Sequence, residues 1–142
     1  MTREARKKLS PNDAGKTGTH QAGILVPKKS EILTFFPTLE RGTKNPRQTI
    51  VMFEEQDNTR WEFCYIHYNN KLFGGTRNEY RLTGMTNYLR STNANVGDII
   101  SFSKNDDLSY KIKIIRSRTS NNDSATCDTL ILTSGWTIIN CK

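Results

Sequence analysis

The sequence predicts a mainly β protein folded as a closed or half-closed barrel. Three observations carry this. Seven short runs have strand character, only two short segments carry helix signals, and the strand runs recur at regular spacing. The whole fits one domain spanning residues 1–142.

In chain order, GILVP (23–27) is a short strand stopped by Pro27. Ser30 is placed to N-cap a helix over EILTFFP (31–37), with Glu31 in its first turn and Pro37 ending it. QTIVMFEEQ (48–56) is β-branched and apolar, and RWEFCYIHY (60–68) sets Trp61, Phe63, Tyr65 and His67 against Glu62, Cys64, Ile66 and Tyr68. The DNTR between them makes the two a hairpin. Met85 to Arg90 supplies the second short helix. GDIISFSK (97–104) and LSYKIKIIRS (108–117) form a second hairpin across NDD, with Tyr110, Ile112 and Ile114 on one face and Lys111, Lys113 and Ile115 on the other. TLILTS and GWTIINCK close the chain as two strands around Ser134 and Gly135. NVGD (95–98) and SRTSNNDSAT (117–126) read as polar loops.

The formal net charge is +7, which suits DNA, RNA or an anionic surface as partner. The cations are grouped: Arg3, Arg6, Lys7, Lys8, Lys16, Lys28 and Lys29; then Lys71, Arg77, Arg81 and Arg90; then Lys111, Lys113, Arg116 and Arg118. Folding can bring such groups to one face, or leave them as a generally basic surface. No run of apolar residues is long enough to span a membrane. MTREARKKLS lacks the apolar region of a secretory signal, and Cys64, Cys127 and Cys141 are far apart, odd in number and without CxxC spacing. Both point to reduced thiols and an intracellular, cytoplasmic protein.

Catalytic signatures are missing. Gly15-Lys16-Thr17 suggests a phosphate loop, but the glycine required five places earlier is Ser10. His20 and His67 have no spaced metal-ligand companions. Asp98, Asp106, Asp107 and Asp123 lie in polar loops, where turn formation is their ordinary work. A small metal-dependent nuclease using Asp98, Asp106 or Asp107 with a lysine is an alternative, as is an RNA-binding barrel stacking bases on Trp61, Phe63 and Tyr65.

Two polar, glycine-punctuated segments are not explained by a core. KKLSPNDAGKTGTHQAG (7–23) has little to bury between Leu9 and Ile24, but carries Lys7, Lys8, Ser10, Asn12, Asp13, Lys16, Thr17, Thr19, His20 and Gln21. Gly15 and Gly18 would let its backbone approach a partner closely. In KLFGGTRNEYRL, Gly74-Gly75 makes a turn. If the chain beyond the turn is extended, Arg77, Glu79 and Arg81 share one face and Asn78, Tyr80 and Leu82 the other. Arginine can bond guanine O6 and N7 together, and glutamate can accept from cytosine N4, so the row is able to read G·C pairs. It is equally a surface row whose ion pairs contribute about 0–1 kcal/mol.

These two segments resemble the N-terminal effector domain of EcoRII-type restriction endonucleases. LSPNDAGKTGTHQAGILVP is similar to that family's LSxNDxGxTGxHQxGxxxP, and YNNKLFGGTRNEYRLT to its YNxxxFGxTRNExRxT. The resemblance implies a B3-like DNA-binding pseudobarrel of about seven short strands and two short helices, with two arms that enter the major groove. It implies base reading by Arg77, Asn78, Glu79 and Arg81 and by Asn12, Asp13 and His20. Phosphate contact and positioning then fall to Lys7, Lys8, Ser10, Lys16, Thr17, Thr19, Gln21, Lys71, Thr76 and Tyr80, with Lys111 and Lys113 as weaker additions. The implied partner is double-stranded DNA with a short G·C-flanked site such as CCWGG. No cofactor is expected for binding, and magnesium would belong to a separate C-terminal nuclease domain of a longer, bacterial chain. The resemblance is broken at Gly75 and Tyr80, where a member of that family carries lysines, and at Leu25, where it carries tyrosine.

Overall fold

The computed structural model describes residues 2–11, 23–40, 42–107, 109–116, 127–132 and 135–141. In chain order the elements are β1 (Thr2–Lys8), β2 (Ile24–Val26), α1 (Ser30–Leu33), β3 (Arg47–Glu54), β4 (Arg60–Tyr68), a 3₁₀ turn (Asn70–Phe73), β5 (Glu79–Thr83), α2 (Thr86–Ser91), β6 (Ile99–Lys104), β7 (Tyr110–Ile115), β8 (Cys127–Ile131) and β9 (Trp136–Cys141). The nine strands form one sheet in the order β2-β5-β4-β3-β7-β6-β1-β9-β8. Both expected hairpins are present as antiparallel pairs, and β3 and β7 meet in parallel. Among the described residues, no helix is long and apolar enough to cross a membrane.

Seven strands match the expected runs; β1 and β5 are additions. β1 is the surprise, because TREARKK is mostly charged. It lies between β6 and β9, antiparallel to both. Its alternation is carried by Ala5, Lys7 and then Leu9, all buried. On the opposite face Arg6 Nε donates to Glu4 Oε2 at 2.6 Å, and Ser101 Oγ donates to the same oxygen. Glu4 and Arg6 thus pair on this face, while Lys8 beside them stays exposed.

α1 also departs from expectation. It covers Ser30–Leu33 only, and Lys29, in extended conformation, occupies the N-cap position. The Ser30 hydroxyl donates instead to Glu31 Oε2 at 3.1 Å. The shortening has a packing cause. Phe35 and Phe36 leave the helix to enter the core, where Phe36 stacks on Tyr65 at 4.9 Å and meets Phe102 and Trp136 edge-on. Tyr110 Oη donates to the Phe35 carbonyl at 2.8 Å, and burial pushes that phenol up to about 12. Trp136 is fully buried and its Nε1 donates to Leu25 O at 2.9 Å, linking β9 to the edge strand β2 and curling the sheet into a half-barrel.

α2 places Tyr88 inward, where its hydroxyl donates to buried Glu54 Oε2 at 2.6 Å. Burial, reinforced by that carboxylate, raises the phenol far above its ordinary range. Trp61 and Phe63 pack edge-on against the Tyr88 ring. Phe63 and Tyr65 are each 1% exposed, so the aromatic row imagined as a base-stacking face is core.

Candidate nucleic-acid interface

The two polar segments leave the sheet from neighbouring places. The first departs after β1, where Leu9 N donates to Asp98 O at 2.8 Å and Gly97 N donates to Leu9 O at 3.0 Å. It returns at Gly23, just before β2, which pairs with β5 through Ile24↔Leu82, Leu25↔Arg81 and Val26↔Tyr80. Gly23 has φ +87°, and a Cβ there would lie 2.2 Å from Leu82 O. Only glycine permits that close approach. Asn12, Asp13, Lys16, Thr17, Thr19, His20 and Gln21 lie outside the described residues.

The second segment joins β4 to β5. Asn69 is buried at its base, with Nδ2 donating to Thr43 O at 2.8 Å and Oδ1 accepting from Asn45 N at 2.7 Å. The turn closes through Gly75 N to Asn70 O at 2.8 Å and Lys71 N to Arg77 O at 2.9 Å. A Cβ on Gly75 would come within 2.9 Å of Asn70 Cβ, so the turn is tight there.

Beyond the turn the expected row exists, and it is held together. Glu79 Oε1 accepts from Arg77 Nε at 2.9 Å, and Glu79 Oε2 accepts from Arg81 Nε at 2.5 Å. The side chains of Arg77, Glu79 and Arg81 are 38%, 26% and 22% exposed, which puts all three between surface and interior. Burial works to raise the Glu79 carboxyl, but the hydrogen bonds and charges of both arginines outweigh it and hold it below the usual carboxylate range. Arg77 lies over the Tyr68 ring, its Cζ 3.8 Å from the centroid. Arg81 Nη1 reaches back to Gly23 O at 3.0 Å, joining the second arm to the root of the first.

On the alternate positions burial rises along the segment, from exposed Asn78 through half-buried Tyr80 to Leu82. Leu82 is fully buried. Tyr80 is half-buried and stacks on His67, centroids 4.0 Å apart and planes 7° apart, and more distantly on Tyr65. Asn78 Oδ1 sits 2.9 Å from His67 Nε2. Asn78, expected as a base reader, is exposed with its side-chain oxygen toward the imidazole, and Tyr80, expected as a positioning residue, packs on that ring. A cleft of about 550 Å³ between the roots of the arms is lined by Lys8, Leu9, Leu25, Arg81 and Val96, among others.

The phosphate candidates divide. Lys8, Lys71 and Thr76 are exposed, and Ser10 is half-buried. Lys7 is 6% exposed with its ammonium donating to Lys8 O at 3.0 Å, because its place in the alternation of β1 directs it inward. Lys111 and Lys113 lie away from the arms: Lys111 pairs in register with Phe53 and Ser103, and Lys113 Nζ is 3.4 Å from Glu55 Oε2. Arg116 is absorbed by Thr92 O, Asn93 O and Asp98. Of the carboxylates considered for a nuclease, Asp98 is buried, accepting from Asn95 N and Arg116, while Asp107 accepts from Ser109 N and Oγ. Among the described residues, no three His, Cys, Asp or Glu side chains are grouped to hold a metal.

His67, Tyr68 and Gly23 matter to this site beyond what their sequence context showed. His67 was legible only as a histidine without metal-ligand companions. What it does depends on a strand register.

The fold defines the class: a B3-type pseudobarrel. It is similar to the B3 domain of the UbaLAI restriction endonuclease solved with cognate DNA, with TM-score 0.56 and 24% identity over 82% of this chain and 69% of that one. It is also similar to the Arabidopsis FUS3–DNA complex, with TM-score 0.59 and 19% identity over 79% of this chain and 95% of that one. Residues 4–124 match the family described as restriction endonuclease EcoRII, N-terminal, and the chain belongs to that family. It is 37% identical over 79 residues to the type II restriction enzyme EcoRII of Escherichia coli, a match covering 54% of this chain and 19% of that enzyme.

Proposed function

We propose that this chain binds double-stranded DNA sequence-specifically, with its two arms in the major groove, as the recognition or effector module of a type II restriction endonuclease. The observation that carries the reading is the clasped row on the second arm. Glu79 takes the Nε of each arginine, and both Nη groups of Arg77 have no hydrogen-bond partner among the described residues. Of the five N–H donors of Arg81, one goes to Glu79 and one to Gly23 O, leaving three. Guanidinium ends held this way suit the paired acceptors of guanine, and each Glu79 oxygen keeps a lone pair for a cytosine amino group.

In this reading Lys8, Lys71 and Thr76 contact phosphates and fix register without specifying sequence. Lys7 is left out, its ammonium being spent within the fold. Asn12, Asp13 and His20 join the base readers, and Ser10, Lys16, Thr17, Thr19 and Gln21 the positioning set, on the strength of family membership. The expected site is short and G·C-flanked, such as CCWGG. Cleavage and its magnesium belong to a separate nuclease domain on a longer chain. Selection of bound duplexes from a random pool tests the reading. It should enrich one short site with G·C pairs, and a pool that stays random after repeated rounds would refute specific reading.

A further inference from the structure

We infer that His67 is a positioning residue that sets the specificity of the second arm; this rests on the DNA-reading function proposed above. His67 is the penultimate residue of β4 and faces Tyr80 in register. Its ring makes two contacts with the segment that carries the proposed readers. It stacks on Tyr80 at 4.0 Å, nearly coplanar, and its Nε2 lies 2.9 Å from Asn78 Oδ1. With an amide oxygen as neighbour, Nε2 is the protonated nitrogen and donates.

Asn78 and Tyr80 alternate with Arg77, Glu79 and Arg81 along β5 and the two residues before it. Fixing the first two to a single imidazole fixes the backbone from which the other three project. The next residue of β4, Tyr68, supports Arg77 from its own ring. The dipeptide His67-Tyr68 thus braces the arm, with Tyr80 as its stacking partner. His67 itself need not touch DNA. It governs whether the guanidinium ends arrive at the right base edges.

The test compares binding of the selected duplex with binding of a duplex altered at one G·C pair, for native protein and for His67→Ala, His67→Phe and Tyr80→Ala. His67→Ala should reduce the discrimination ratio about tenfold, roughly 1.4 kcal/mol, with affinity for random duplex and its salt slope unchanged. His67→Phe keeps the stack and should recover part of the ratio. Tyr80→Ala should lower it like His67→Ala, which keeps the test decisive if the latter folds poorly. Native protein that discriminates while every variant keeps its ratio within twofold would overturn the inference and leave the function standing. So would equal losses on all duplexes, since that is a stability effect. Native protein that binds all duplexes alike would overturn the function and the inference together.

Discussion

Two Arg–Glu arrangements on this sheet have the same chemistry and different surroundings. At the start of β4, Arg60 Nη1 lies 2.7 Å from Glu62 Oε2, with both side chains more than half exposed. On β5 and its approach, Arg77, Glu79 and Arg81 form a half-buried triad backed by the Tyr68 ring, Gly23 O and the His67–Tyr80 stack. The first is a solvated pair, whose attraction water and salt largely cancel. The second is restrained at each guanidinium by a second, non-carboxylate partner. Short distance is common to both; restraint belongs to one. What stands behind the triad, more than its charges, sets it apart from the solvated pair.

The comparison can be broken most severely at Gly23. Gly23→Ala forces a Cβ against Leu82 O at a left-handed φ. The backbone and crowding costs together should destabilise the fold by about 2–5 kcal/mol, read as a lowered urea midpoint. A midpoint within error of native would show that the β2–β5 junction yields easily. Next is Arg81→Ala, which should cost about 1–3 kcal/mol of discrimination at one base pair, measured by competition between duplexes. Uniform weakening on every duplex would reassign Arg81 to positioning.

Glu79→Gln sharpens the comparison through pH. The Glu79 carboxyl is held below its ordinary value in the folded protein, so its contribution to stability is fully present above about pH 4.3 and is lost as pH falls through the folded value. Native protein should therefore exceed Glu79→Gln in urea midpoint at pH 7, and the gap should narrow at pH 3. A gap that does not change with pH would mean the carboxylate charge is not what the triad uses. The smallest effect is expected at Arg60→Ala, within about 0.5 kcal/mol in stability and without change in duplex discrimination.

The Arg77–Glu79–Arg81 row was legible because period 2 operates within five consecutive residues. The hairpins were legible for the same local reason. What stayed hidden depends on distant partners. The His67–Tyr80 stack needs the β4–β5 register, and the requirement for glycine at position 23 needs a carbonyl from Leu82. β1 was missed because strand signals weigh apolar residues, and this strand hides a lysine ammonium against a carbonyl while Glu4 and Arg6 pair on its outward face. The helix over 31–37 was overextended because its tail holds Phe36, which serves the core better than the helix.

The position of β1 has a consequence for how the protein is made. β1 leaves the ribosome well before its partners, pairing on one side with β6 and on the other with β9 through contacts such as Thr2↔Cys141 and Lys7↔Trp136. Neither edge can be satisfied until most of the domain has been translated. At about 5–20 residues per second, β1 and the buried lysine on it wait several seconds for their partners. A nascent chain ending near residue 124, where the family match stops, would present β1 with one side unpaired, an invitation to association with other chains. Full pairing of β1 therefore waits for β9.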